Sequence, residues 1–180
     1  MSRVVLRPGE SVPELESGHR LYYLPRGTAE LAVNVDGDMT MTTLTSGNVR
    51  YVEPGAVSIT NVGALPIELI EVARTAVMIP EFLDTEAQDP VEPYEVVLEN
   101  DQVRVREVTL ESGETVEFAR VPVRIVYPLT ESTLEYRSID DEVVPIPGGP
   151  SAAYSRPGDD LSVTNPGEES ATIVTFDWLS

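Results

Sequence analysis

Ser58-Ile59-Thr60-Asn61-Val62-Gly63 and Ser162-Val163-Thr164-Asn165-Pro166-Gly167 stand 104 residues apart and agree at four of six positions. The same offset pairs Gly9-Glu10 with Gly113-Glu114, Val12 with Val116, Arg20 with Arg124 and Tyr23 with Tyr127. Chance agreement runs at roughly one in fifteen per position at ordinary residue usage. Matches held in one register over this distance therefore indicate an internal duplication.

The duplication divides the chain into a first unit over residues 1–75 and a second over 94–180. Between them lies an acidic, proline-rich connector, residues 76–93, with five acids, no base and three prolines, the composition of a solvated link. Its apolar cluster (Val77, Met78, Ile79, Phe82, Leu83) is expected to cover an open end of a barrel. A short helical turn over Pro80–Glu86 is only weakly signalled. Elsewhere the apolar segments are short, rich in Val, Ile, Thr and Tyr, and punctuated by Pro and Gly, which is a strand vocabulary. In the first unit it predicts strands at Arg3–Leu6, Arg20–Leu24, Glu30–Val35, Met39–Leu44, Val49–Val52, Val57–Asn61 and Ile67–Ala73. Turn signals such as Asp36-Gly37-Asp38 and Ser46-Gly47-Asn48 separate them. Regularly spaced strands of this kind point to a sandwich or barrel.

The chain carries 31 Asp and Glu against 12 basic residues, all arginine, for a formal charge of −19. Such a surface repels a phosphate backbone and an anionic bilayer, so neither nucleic acid nor a membrane is an expected partner. No 18-residue apolar run and no secretory signal is present, and a cytoplasmic location is expected. Without cysteine there is no thiolate nucleophile or zinc–thiolate site. With His19 as the only histidine, any mechanism using two imidazoles requires two subunits. Acidic runs such as Asp140-Asp141-Glu142, Asp159-Asp160 and Glu168-Glu169 fall where turns are expected and read as solvated surface. Gly148-Gly149-Pro150 reads as a turn opening a strand, since no phosphate-cradling helix follows it.

The duplicated segments resemble the cupin superfamily. In the second unit, Gly113-Glu-Thr-Val-Glu-Phe-Ala-Arg-Val-Pro-Val-Arg-Ile-Val-Tyr127 is similar to the first cupin motif. Arg156-Pro157-Gly158, Leu161 and Asn165-Pro-Gly167 are similar to the second. The first unit repeats the pattern through Gly9, Arg20, Tyr23, Gly47, Pro54-Gly55 and Asn61-Val-Gly63. The resemblance implies an all-β chain of two tandem cupin-type double-stranded β-helix (jelly-roll) barrels, a bicupin.

In metal-binding members of that superfamily the first motif supplies two His and a Glu, and the second motif a third His. Here the corresponding positions are Ala119, Val121, Ile125 or Val126, and Leu161 in the second unit. In the first unit they are Leu15, Ser17, Leu21 or Tyr22, and Val57 or Ser58. These side chains do not offer the N, O or S donor set that a divalent transition metal needs. Neither a metal nor another cofactor is therefore expected.

Arg20 and Arg124, each three residues before a tyrosine, are candidates to bind a carboxylate or phosphate inside a barrel, together with Tyr22 and Tyr127. The competing reading has each arginine paired with a neighbouring acid and the tyrosines in the core. The expected function is a metal-free bicupin that binds a small anionic or apolar molecule or serves as a scaffold, with the balance against catalysis. One alternative is a metal-independent isomerase or epimerase using His19, with Glu14, Glu16 or Glu71 as its carboxylate and Tyr and Arg residues around the substrate. The other is a homodimerising structural protein whose barrels pair edge to edge.

Overall fold

Two turns at equivalent places start the two halves of the fold. Gly9 (φ 78°) and Gly113 (φ 75°) adopt the left-handed conformation that a tight turn requires. The turns close through Glu10 N–H to Arg7 C=O at 2.9 Å and Glu114 N–H to Glu111 C=O at 3.0 Å. In each, the glutamate Oε2 also accepts the first residue's N–H at 2.8 Å. The amide of Gly9 donates to Asn61 C=O at 2.8 Å, and that of Gly113 to Asn165 C=O at 2.7 Å. The repeated sequence thus produces repeated hydrogen bonds.

The computed structural model describes residues 1–74, 94–118, 123–137, 143–147, 153–155 and 161–179, with backbone alone for 13–17, 153–155 and 161. The chain divides into Met1–Val77 and Met78–Ser180. Residues 76–93, with the expected connector and helical turn, lie outside the described residues, as do Asp140–Glu142, Gly148–Pro150 and Asp159–Asp160.

Every described element is a strand. In the first unit β1 (Ser2–Leu6), β8 (Ile67–Ala73), β3 (Arg20–Tyr23) and β6 (Val49–Val52) form one sheet in that order. The second sheet is β2 (Ser11–Ser17), β7 (Gly55–Asn61), β4 (Thr28–Val35) and β5 (Asp38–Thr45). The second unit repeats this order. Its sheets are β10 (Val103–Leu110), β17 (Ala171–Trp178), β12 (Val123–Pro128) and β15 (Ala153–Ser155), then β11 (Thr115–Phe118), β16 (Leu161–Thr164), β13 (Leu134–Arg137) and β14 (Val143–Ile146). An extra strand, β9 (Glu95–Glu99), pairs with β10. All pairings are antiparallel, and each unit is an eight-stranded jelly roll.

Each barrel closes on an apolar core. In the first, Leu6, Val12, Tyr22, Leu31, Leu44, Val52, Ile59 and Leu69 supply one side chain from each of the eight strands. In the second, Val108, Phe118, Val126, Leu134, Ile146, Val163 and Ile173 supply one side chain from each of seven strands, β15 being described by its backbone alone.

β2 has no counterpart among the strands expected from sequence. Pro13 and the acids at 14 and 16 mask its alternation. The register of β2 on β7 shifts between Val12 and Leu15, at an edge, which is where a strand tolerates proline.

Candidate functional site

Side chains alternate across a strand, so the core members fix which residues of β3, β6 and β8 point inward. Tyr22, Val52 and Leu69 belong to the first core; Arg20, Arg50 and Glu71 share their faces. Glu71 is the hub of the N-terminal cluster. Its carboxylate is ion-paired with Arg20, accepts the Tyr22 hydroxyl at 3.0 Å and accepts the Ser2 hydroxyl at 2.9 Å. The Arg20 and Glu71 side chains are only 6% and 11% exposed. Burial first, and then the Glu71 carboxylate, push the Tyr22 phenol up to about 12 from its ordinary value of 10, with Arg20 opposing.

A phenol raised in this way stabilises the fold fully below pH 10, and its contribution is lost as pH rises through 12. Urea unfolding between these limits is expected to show an alkaline loss of stability that Tyr22→Phe reduces. An unchanged alkaline slope in Tyr22→Phe would contradict this reading.

The C-terminal cluster uses the same faces with different residues. Arg124 grips Asp177 bidentately, Nε to Oδ1 at 2.6 Å and a terminal nitrogen to Oδ2 at 2.9 Å. Arg106 reaches the same carboxylate at 3.2 Å. Side-chain exposure is 3% for Arg106, 1% for Arg124 and 0% for Asp177. The Arg124 guanidinium lies 4.6 Å from the Phe118 ring centre, and that of Arg106 lies 5.1 Å from Tyr94.

The acids of the two clusters are displaced by two residues in the repeat. Arg20 stands opposite Ala73 in register, and Glu71 stands opposite Tyr22 and Ser2. Arg124 stands directly opposite Asp177, and Thr175 takes the place of Glu71. The longer glutamate reaches its arginine diagonally, whereas the shorter aspartate has to face it. Arg106 occupies the place of Ser2, and each contacts the local acid. The Thr175 hydroxyl is fully buried and has no hydrogen-bond partner among the described residues.

Arg50 differs from these arginines. It stands directly opposite Tyr22 in the β3–β6 ladder, on the inward face, and is half-buried. Its Nε is buried without a hydrogen-bond partner, and no ion pair to it exists among the described residues.

Of the four residues singled out from sequence, Arg20 and Tyr22 are brought together and Arg124 lies in the corresponding cluster. Tyr127 pairs in register with Val174 on the opposite face of β12 from Arg124, and is 6% exposed. His19 is not brought to Glu71. Its ring stacks on Tyr51, 5.7 Å between centres, and Nδ1 shares a hydrogen bond with the Tyr51 hydroxyl on the outward face of β6. Burial first, and then Arg74, lower the His19 pKa, with Glu53 opposing. The side chains of Glu14 and Glu16 are outside the description.

A resident metal does not fit the described residues. Val57 and Val126 are core side chains, Tyr22 is engaged with Glu71, and Leu21 and Ile125 point away from the cores. The inward acids, Glu71 and Asp177, each face a guanidinium, whose positive charge opposes a cation at the same carboxylate. No three His, Asp or Glu side chains gather into a ligand set among the described residues. Ala119 and Val121 lie outside the description, as do the side chains of Leu15, Ser17 and Leu161.

No family model matches the sequence, and no curated protein matches it. Solved structures do. A cupin 2 conserved barrel domain protein from Leptotrichia buccalis superposes with a TM-score of 0.60 at 14% identity, over 98% of this chain and 81% of that one. Both units have the cupin fold. AerE from Microcystis aeruginosa matches this chain with a TM-score of 0.74 at 12% identity, over 99% and 86% of the two chains. Oxalate decarboxylase from Bacillus subtilis matches at 0.69 and 13% identity, over 97% of this chain and 67% of its own. Enzymes thus occur among the structural neighbours, and at these identities the shared property is the fold. Among the described residues, no helix is long and apolar enough to cross a membrane.

Proposed function

We propose that this bicupin is a non-catalytic binding protein that takes a small carboxylate-like anion in its N-terminal barrel without a metal. The observation that carries the reading is Arg50. Acids outnumber arginines 31 to 12 in this chain. The inward arginines Arg20, Arg106 and Arg124 are all engaged by an acid. A half-buried guanidinium without one among the described residues, its Nε dehydrated, carries the cost of an unmade hydrogen bond. An incoming carboxylate would supply that bond, and the planar fork of arginine suits it. Tyr22 lies beside Arg50 on the same face.

The open groove of about 620 Å³ in the C-terminal unit is a poorer host for an anion, because Glu131, Glu168 and Glu169 line it. The isomerase reading has less support, since its histidine is engaged with Tyr51 on the outward face.

The test is thermal unfolding with a panel of small mono- and dicarboxylates, phosphate and sulfate. A binder present at a hundredfold its dissociation constant adds about 2.7 kcal/mol, a rise of several degrees in Tm. Arg50→Met is expected to abolish that rise while leaving the ligand-free Tm unchanged or higher. A panel in which no anion raises Tm, or an Arg50→Met protein that still responds, overturns the proposal.

A further inference from the structure

One row of side chains crosses the inward face of the first sheet: Ser2 on β1, Glu71 on β8, Tyr22 on β3 and Arg50 on β6, each in register with the next. Neighbouring strands stand about 4.8 Å apart, so the backbones of Glu71 and Arg50 are separated by roughly 10 Å, with Tyr22 between them. The next inward residue along β6 is Val52, a core side chain. Opposite Val52 stands Arg20, already ion-paired with Glu71.

Among the described residues, the charged side chains on the inward faces of this barrel are Arg20, Arg50, Glu71 and Asp38. Asp38 stands opposite Val35 at the end of β5 and is exposed, so water screens it. The other three leave a single positive charge in surplus. The facing sheet contributes Ala29, Leu31, Val33, Leu44, Val57 and Ile59 to the core.

We infer, on the reading of Arg50 as an anion site, that the ligand is a monocarboxylate with an apolar body and that the barrel discriminates against dianions. One carboxylate balances the surplus charge at Arg50. A second would be placed among core side chains or turned along the row toward the Glu71 carboxylate. Either position leaves a negative charge uncompensated where water is scarce. Reaching Arg20 gains little, because the ligand would have to displace Glu71 from it. Sulfate, a dianion, falls under the same exclusion. An apolar body instead meets Val52 and the facing core.

NMR titration of the full chain with butyrate, succinate and monomethyl succinate, at about pH 7.5 where free carboxylates are ionised, tests the inference. Butyrate and succinate have the same number of carbons and differ in one carboxylate, which the monomethyl ester masks. Butyrate is expected to bind at least about 10-fold more tightly than succinate, and monomethyl succinate to regain most of that difference. From acetate to hexanoate, the dissociation constant should fall about three- to fourfold for each methylene buried. Arg50→Met should lose all of this binding. Glu71→Gln raises the surplus to two positive charges and should shift the preference toward succinate; the ratios in the parent chain decide the matter even if this variant does not fold. Succinate or sulfate binding as tightly as butyrate overturns the inference while leaving Arg50 an anion site, and so does an affinity indifferent to chain length. Failure of every anion to bind overturns instead the reading on which the inference rests.

Discussion

Asp177→Asn is expected to destabilise the C-terminal unit by about 3–5 kcal/mol, the cost of removing one partner from a buried ion pair. Asp177 is inaccessible, and two guanidinium groups, also almost inaccessible, converge on it. Asparagine keeps the shape and one acceptor oxygen but removes the charge. Arg106 and Arg124 would then repel each other without the Asp177 charge between them, in a region where water screens weakly. The triple change Arg106→Met, Arg124→Met and Asp177→Leu removes all three charges together. It is expected to come within about 2 kcal/mol of the parent or exceed it, because apolar replacement of a complete buried cluster spares its desolvation cost. The chain has a single tryptophan, Trp178, adjacent to Asp177 and 4% exposed. Urea unfolding followed by its fluorescence therefore reports this unit. An Asp177→Asn loss below about 1 kcal/mol would mean that the carboxylate is not what neutralises the arginines.

The contrast between the two clusters marks what the sequence could and could not disclose. The duplication, the strand character and the equivalence of Arg20 with Arg124 were legible, because turn glycines, β-branched runs and repeated asparagines leave local signatures. The acids were not. An offset of 104 aligns Glu71 with Thr175, so comparison of the repeats conceals that Asp177 has taken over the role from two residues further along the same face. Side-chain length and cross-strand register decide that exchange, and neither is visible until the strands are paired. Arg50 carries no motif at all; its unmet hydrogen bond follows from lying opposite Tyr22 on an edge strand. The face of Tyr127 could have been inferred from alternation alone, since it stands three positions after Arg124, an odd offset that turns it to the other side of the strand. His19 and Tyr51 lie 32 residues apart and meet only through the β3–β6 pairing.

Asn61 and Asn165, the repeated asparagines that reveal the duplication, also carry the second large effect. Both are fully buried. The Asn165 side-chain amide donates to Leu110, Glu111 and Glu169 carbonyls at 3.0, 3.2 and 2.8 Å, while its oxygen accepts the Gly167 N–H at 3.0 Å. Asn61 donates to Leu6 and Leu65 carbonyls at 3.0 and 2.8 Å and accepts the Gly63 N–H at 3.0 Å. One side chain thus ties the end of β10 or β1 to the turn that leads into β17 or β8. Removing it leaves several buried backbone groups without partners, so Asn165→Ala is expected to cost about 2–4 kcal/mol and Asn61→Ala a similar or slightly smaller amount. Asparagine to aspartate separates hydrogen bonding from packing. The carboxylate matches the amide in size but turns its donors into acceptors facing carbonyl oxygens, so Asn165→Asp should be at least as damaging as alanine at neutral pH and should recover as acid protonates it. Hydrogen-exchange mass spectrometry of peptides spanning β7 and β16 separates the effects of the two sites. An aspartate variant as well protected as the parent at neutral pH would show that these asparagines act by shape alone.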